Sequence, residues 1–316
     1  MKSKNIRSPH PPRIDAHVHV FARASRQFPR EVSDLLPATR EEPVEKLLDQ
    51  MQANGVSQAV LVQIGGASFE HHSYLRYCLE TYPRQFLGIG LIPTDELKPE
   101  EHMDRLATNG DVIGFRLSSI GGPADPLAPM DIRSFRTFPI WKHAAERDYV
   151  IWLYPQAIDA HCLPFIIEAF PEVRVVFNHM LALPGKGSFS WDSQGRPRVE
   201  FTALPPPSRY STMGLHQFEN VSVHLSGQYA FSNEEWPYRD LKEWHERLYR
   251  PHNRKQGFGA NRLLWATDFP WITENPGYER LTQIIEELLP DLNEDEISEI
   301  MGGTAQRLLR FPEAPT

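Results

Sequence analysis

Eight short runs rich in Val, Ile, Leu and Phe recur along the chain, and most are followed by a stretch with helical spacing. The runs cover 13–20, 57–64, 86–92, 112–117, 149–155, 173–178, 220–226 and 262–267. Most are near-continuous in apolar character, which suits strands of a parallel sheet covered on both faces. Between them Val44, Leu47, Leu48 and Met51 recur at i, i+3, i+4 and i+7, and Asn54-Gly55 supplies a stop. Further helical stretches are expected at 68–82, 99–109, 138–147, 160–170, 208–218, 237–250 and 277–310, the last long enough for more than one helix. Strand–helix alternation of this length predicts an α/β chain closed into a (β/α)8 barrel over 13–312, after a disordered lead-in at 1–12. An open doubly wound sheet is the alternative, but no Gly-rich phosphate turn follows the first run.

Two connections are long. Residues 21–42 follow the first strand and carry Arg23, Arg26 and Arg30; residues 180–207 follow the sixth and include Pro205, Pro206 and Pro207. Loops of this length commonly cover a site, and in a barrel both lie at the C-terminal face of the strands. The net charge of −8 and the lack of a Lys/Arg block argue against a nucleic-acid partner. Cys78 and Cys162 stand far apart and outside any paired motif, so neither a disulfide framework nor a cysteine zinc site is expected. No apolar run reaches the roughly 18 residues of a membrane span. A cytoplasmic enzyme with a small-molecule partner is expected, with homo-oligomerisation left open.

Chemistry-bearing residues stand where those strands begin or end. In Arg13-Ile14-Asp15-Ala16-His17-Val18-His19-Val20 the polar and apolar positions alternate, so His17 and His19 share one face of a strand. Two imidazoles so placed can bind one metal ion or act together on one substrate oxygen; two satisfied core histidines are the plainer alternative. His179 ends the sixth run and Asp268 the eighth. Arg116 ends the fourth, Tyr154 the fifth, Gln63 lies in the second, and His224 and Ser226 lie in the seventh. An Asp beside a histidine cluster can hold a metal or act as a general base. Arg116 offers the planar donor fork that suits a carboxylate. Gln63, Tyr154 and Arg23 are further substrate-binding candidates. Trp191, Tyr210, Tyr229 and Trp271 are candidate pocket walls, and His71, His72 and His102 read as surface residues of helices.

Four segments carry a resemblance to a known family: Ile14–Phe21, Phe170–His179, Arg262–Pro270 and Gly303–Leu309. Together they resemble the amidohydrolase superfamily, in its branch of amidohydrolase-related lactonases and decarboxylases. That branch includes 2-pyrone-4,6-dicarboxylate lactonase-like and sugar-lactone hydrolases. The resemblance implies a distorted TIM barrel with His17, His19, His179 and Asp268 as catalytic residues. In zinc-binding relatives a fifth-strand histidine usually completes the site; here that strand offers Tyr154 and Gln156. The fourth strand has Arg116 where a metal-bridging lysine would be. A binuclear centre is therefore not expected. Either no cofactor or one divalent ion, zinc, on His17, His19 and Asp268 is expected, and the metal-free form is preferred. The implied activity is opening of an anionic lactone, from a sugar acid or an aromatic-degradation intermediate. A non-oxidative decarboxylase and a catalytically silent binding barrel are the alternatives.

Overall fold

The computed structural model describes residues 11–184, 189–199, 212–250 and 257–314. Eight parallel strands form one sheet: β1 (Arg13–Val18), β2 (Val56–Val62), β3 (Phe86–Leu91), β4 (Val112–Leu117), β5 (Val150–Leu153), β6 (Val175–Phe177), β9 (Val221–Leu225) and β10 (Leu263–Trp265). Each expected strand is present. Neighbours pair in chain order, β6 pairs with β9, and a parallel bridge between Val18 and Phe269 brings the last strand back to the first. This is the distorted (β/α)8 barrel. The two strands out of sequence, β7 (Phe189–Trp191) and β8 (Pro197–Val199), form an antiparallel hairpin inside the long connection after β6.

The helices fall between the strands: α1 (Val44–Ala53), α2 (Ser73–Thr81), α3 (Pro99–Leu106), α4 (Phe138–Arg147), α5 (Leu163–Ala169), α6 (Gln228–Phe231) and α7 (Lys242–Tyr249). After β10 come α8 (Tyr278–Leu281), α9 (Ile284–Leu288), α10 (Glu294–Ser298) and α11 (Thr304–Leu309), with a π turn at Glu299–Gly303. Helix α1 buries Val44, Leu47 and Met51 as its spacing requires, and Gly55 continues the chain at φ +66. The described part of the stretch expected at 208–218 is a 3-10 helix, Thr212–Gln217. The lead-in at 1–10, Pro205 to Pro207 and Tyr210 lie outside the described residues.

Two apolar layers share the strands. Ile14, Ala16, Val60, Val62, Trp152, Val176 and Leu264 fill the barrel interior. Val18, Leu61, Ile151, Leu153, Val175 and Leu263 face the helices. Ile14 and Val18 thus lie in different layers, although an unbroken alternation would put them in one. The register of β1 shifts between Asp15 and Val18, and that irregularity turns His17 and His19 inward. Asp15 stays at the seam. It accepts from Thr267 N (2.9 Å), Thr267 Oγ1 (2.6 Å) and Tyr278 Oη (2.8 Å). Beside this clamp, Asp268 N donates to His17 O (3.1 Å) and His19 N to Phe269 O (2.7 Å). The barrel closes where the candidate residues meet.

His72 and His102 correct the expectation of surface residues, since both are buried. They meet at one strand-end residue: His72 Nε2 accepts from Leu91 N (2.9 Å), and His102 Nε2 donates to Leu91 O (3.0 Å). Helices α2 and α3 pack on the sheet at that point, so a helical histidine there finds backbone partners rather than water.

Candidate active site

His17 and His19 reach the C-terminal mouth of the barrel with their Nε2 atoms 3.2 Å apart. Asp268 Oδ1 lies 3.6 Å from each of these nitrogens. Its other oxygen, Oδ2, accepts from Tyr229 Oη at 2.7 Å, while Oδ1 is buried without a hydrogen-bond partner among the described residues. His179 completes the group, its ring 5.3 Å from that of His17. Its Nδ1 is 3.0 Å from Ser226 Oγ, and a Cβ on Gly227 would come within 2.8 Å of the same nitrogen. Only glycine allows this approach. Asp268 and His179 both hold left-handed backbone, at φ +61 and +47. Such positions cost roughly 1–3 kcal/mol each for ordinary residues and gather at functional sites. The Trp244 indole N–H holds the turn after His179 by donating to Met180 O at 2.8 Å.

Burial sets the charge state. It pushes Asp268 up to about 7, against the Tyr229 hydrogen bond and the Arg116 charge, which favour the carboxylate. Burial, with Arg116 adding to it, lowers His19 and His224 to about 3 and takes His17 and His179 well below their ordinary value. The four imidazoles are therefore neutral at physiological pH. Tyr154 is held above its ordinary value by burial and stays a phenol.

A cavity of about 190 Å³ opens above this cluster. His19, Arg116, Tyr154, His179, Tyr229 and Asp268 supply its polar side; Leu35, Ile64, Trp191, Val199, Phe231 and Trp271 are among its apolar walls. Both long connections contribute, Leu35 from the first and the β7–β8 hairpin from the second. The Arg116 guanidinium sits 5.3 Å from the Tyr154 ring centre. It has no hydrogen-bond or ion-pair partner among the described residues, so the structural ion pair that would explain it is absent there.

Other expected residues lie elsewhere. Arg23 is exposed and pairs with Glu41 at 3.2 Å. Arg26 is exposed, and Arg30 donates to the carbonyls of Ala22, Leu36, Pro37 and Arg40, which shapes the first loop. The Gln63 amide N–H groups are taken up by Ile64 O, Gly66 O and His71 O. Trp191, Tyr229 and Trp271 line the cavity.

Two residues that matter were not singled out as polar partners from sequence. Trp152 donates its indole N–H to His17 Nδ1 at 3.0 Å, and Tyr229 binds Asp268. For metal binding, His17, His179 and Asp268 bring ligand atoms within 4.8 Å of one another, and His19 lies close by. That spacing suits an ion. The directions of the N–H groups do not suit one held through both His17 and His19, because the Trp152 donor directs the His17 proton onto Nε2.

The amidohydrolase family model matches residues 14–311. No curated protein matches the chain. Among solved structures, a Pseudomonas putida protein provisionally named 2-pyrone-4,6-dicarboxylic acid hydrolase is 23% identical, with a TM-score of 0.64 over 96% of this chain and 98% of that one. A Burkholderia multivorans amidohydrolase with bound zinc is 18% identical, with a TM-score of 0.67 over 95% of this chain and 100% of that one. A 2,6-dihydroxybenzoate decarboxylase from Rhizobium is 15% identical, with a TM-score of 0.58 over 95% of this chain and 99% of that one. At these identities the likeness establishes the fold. No helix among the described residues is long and apolar enough to cross a membrane.

Proposed function

The chain belongs to the amidohydrolase family, and from that premise we propose that it opens an anionic lactone by attack of water on the ester carbonyl. One observation carries the reading. A buried carboxylate oxygen and a guanidinium, both without a hydrogen-bond partner among the described residues, belong to the same cavity. The first is a base and the second an anchor for a substrate carboxylate.

Asp268 is the base in this reading because the alternatives are weaker. Held near 7, it is half ionised at neutral pH; His19, near 3, takes a proton only in strong acid. A general base works best when its pKa lies near the working pH. Asp268 Oδ1 takes a proton from a water flanked by His17 and His19. The water oxygen bonds to the lactone carbonyl carbon, and the charge that builds on the carbonyl oxygen is met by donors already in place. These are the Tyr154 hydroxyl and His179 Nε2, the latter protonated when Ser226 donates to Nδ1. The C–O bond of the ring then breaks, and protonated Asp268 returns its proton to the departing alkoxide. Arg116 holds the substrate carboxylate throughout. The apolar walls take the uncharged part of a sugar-acid or aromatic-degradation lactone.

Decarboxylation of a small carboxylic acid is the second reading, favoured by the same near-neutral carboxyl. Arg116 would hold the carboxylate and protonated Asp268 would give its proton to the carbon that loses CO2. A lactone panel followed by pH indicator, with CO2 measured in parallel on aromatic acids, separates the two. Proton release without CO2 is expected. CO2 from an aromatic acid with no lactone turnover would replace the lactonase reading with the second.

A further inference from the structure

Trp152 stands at the centre of the barrel beneath the cavity, outside the proposed chemistry. Its side chain is fully buried among Val150, Val176 and Leu264, and it packs 4.7 Å from the His224 ring. Its indole N–H meets His17 Nδ1 at 3.0 Å, and the two ring planes are within 20° of parallel. An indole nitrogen can only donate. His17 Nδ1 must therefore accept, and the proton of the neutral His17 ring sits on Nε2.

His19 is fixed the opposite way. Its Nδ1 lies 2.8 Å from Val62 O, and a carbonyl can only accept, so His19 Nδ1 carries the proton and Nε2 the lone pair. The two Nε2 atoms, 3.2 Å apart, then match as donor and acceptor. Hydrogen bonds run one way, from Trp152 through His17 and His19 to Val62 O. Every nitrogen in the chain is satisfied with both rings neutral.

A metal held by both histidines needs both Nε2 lone pairs. A ligating histidine typically donates its remote N–H to an acceptor. His19 is built that way. His17 faces a donor instead. To ligate through Nε2 it would have to place its Nδ1 proton against the Trp152 N–H, two donors facing in a dry interior. Trp152 is packed on every side and cannot turn away.

We propose that Trp152 is a positioning residue: it fixes His17 as the Nε2–H tautomer and thereby closes the His17–His19 pair to a metal ion. The proposal stands on hydrogen-bond geometry, whatever the substrate, and its tests need no turnover.

The first test is long-range ¹H–¹⁵N NMR on histidine-labelled wild-type protein, with His17 and His19 assigned through His17→Gln and His19→Gln. A protonated Nε2 on His17 and a protonated Nδ1 on His19 are expected. A protonated Nδ1 on His17 overturns the proposal without touching the lactonase reading. The second test is zinc affinity measured by competition with a chromophoric chelator. Trp152→Phe keeps a flat ring and loses the donor, so its zinc affinity should rise about tenfold or more over wild type, the scale on which outer-shell partners act. Equal affinities in a folded variant overturn the proposal, as does tight zinc binding by wild type that is lost in His17→Gln. Should Trp152→Phe fail to fold, the wild-type tautomer decides alone.

Discussion

Asp268 combines a left-handed backbone, a buried carboxyl near 7 and one oxygen without a hydrogen-bond partner among the described residues. Its burial makes ionisation costly. With an unfolded value of about 3.9, raising it to about 7 corresponds to about 4 kcal/mol at most. The folded value is raised, so this carboxyl's contribution to stability is whole below about 4 and is lost as pH rises through about 7. Asp268→Asn should therefore lose about 10²–10⁴-fold in kcat and melt several degrees higher than wild type at pH 8, the gain vanishing near pH 4. Asn also tolerates a positive φ. Activity above a tenth of wild type in the folded variant would remove Asp268 as the base. Tyr229→Phe takes away the hydrogen bond that favours the carboxylate, so the acid limb of the kcat/KM profile should move to higher pH. An unmoved limb would separate Tyr229 from the base. His17, His19, His179, Arg116 and Asp268 were legible in sequence because their side chains are polar at strand ends. Trp152 and Tyr229 were not, because one N–H or O–H on a large apolar ring reads as packing until its partner is seen.

The strands were the most legible elements, and the two least legible features are those that shape the site. The irregularity in β1 changes which face His17 and His19 occupy while leaving the alternation in sequence intact, so no periodicity reports it. The β7–β8 hairpin has three-residue arms, Phe-Ser-Trp and Pro-Arg-Val, too short for a period to emerge. It nevertheless supplies Trp191, Pro197 and Val199 to the cavity. Arg196 braces its turn on Asp192 Oδ2 at 2.7 Å and ties it to Asn275 O at 2.8 Å, and Arg198 ties it to Tyr229 O and, at 2.8 Å, to Ser232 O. These bonds lie outside the barrel core. Arg198→Ala should raise KM about tenfold, equivalent to about 1.4 kcal/mol of lost binding, with the melting temperature nearly unchanged. A large drop in melting temperature at constant KM would make the hairpin a structural strut rather than a cover.

At the scale of the whole molecule, the barrel's closing seam and its candidate site are the same place. The first and last strands meet through a short bridge, and the Asp15 clamp holds Thr267, the residue before Asp268. Asp15 is itself pushed up to about 6 by burial, against the hydrogen bonds from Thr267, Tyr278 and the His17 backbone that favour its ionised form. Its contribution is therefore lost as pH rises from about 4 through about 6. Two of those donors can be removed singly. Thr267→Val deletes the hydroxyl that bonds Asp15 Oδ2 and also accepts from Phe269 N at 3.1 Å. Tyr278→Phe deletes only the donor from the far side of the clamp, on α8. Each variant leaves a buried group short of a partner and should lose about 1–3 kcal/mol of stability. Only the first also releases the Phe269 N–H that follows Asp268, so only Thr267→Val should also lower kcat, by about tenfold, the scale set by about 1.4 kcal/mol. Chemical denaturation and steady-state kinetics on both variants test the coupling. If Tyr278→Phe lowers kcat as much as Thr267→Val, the site responds to the stability of the seam as a whole, and the placement of Asp268 by its neighbour is wrong.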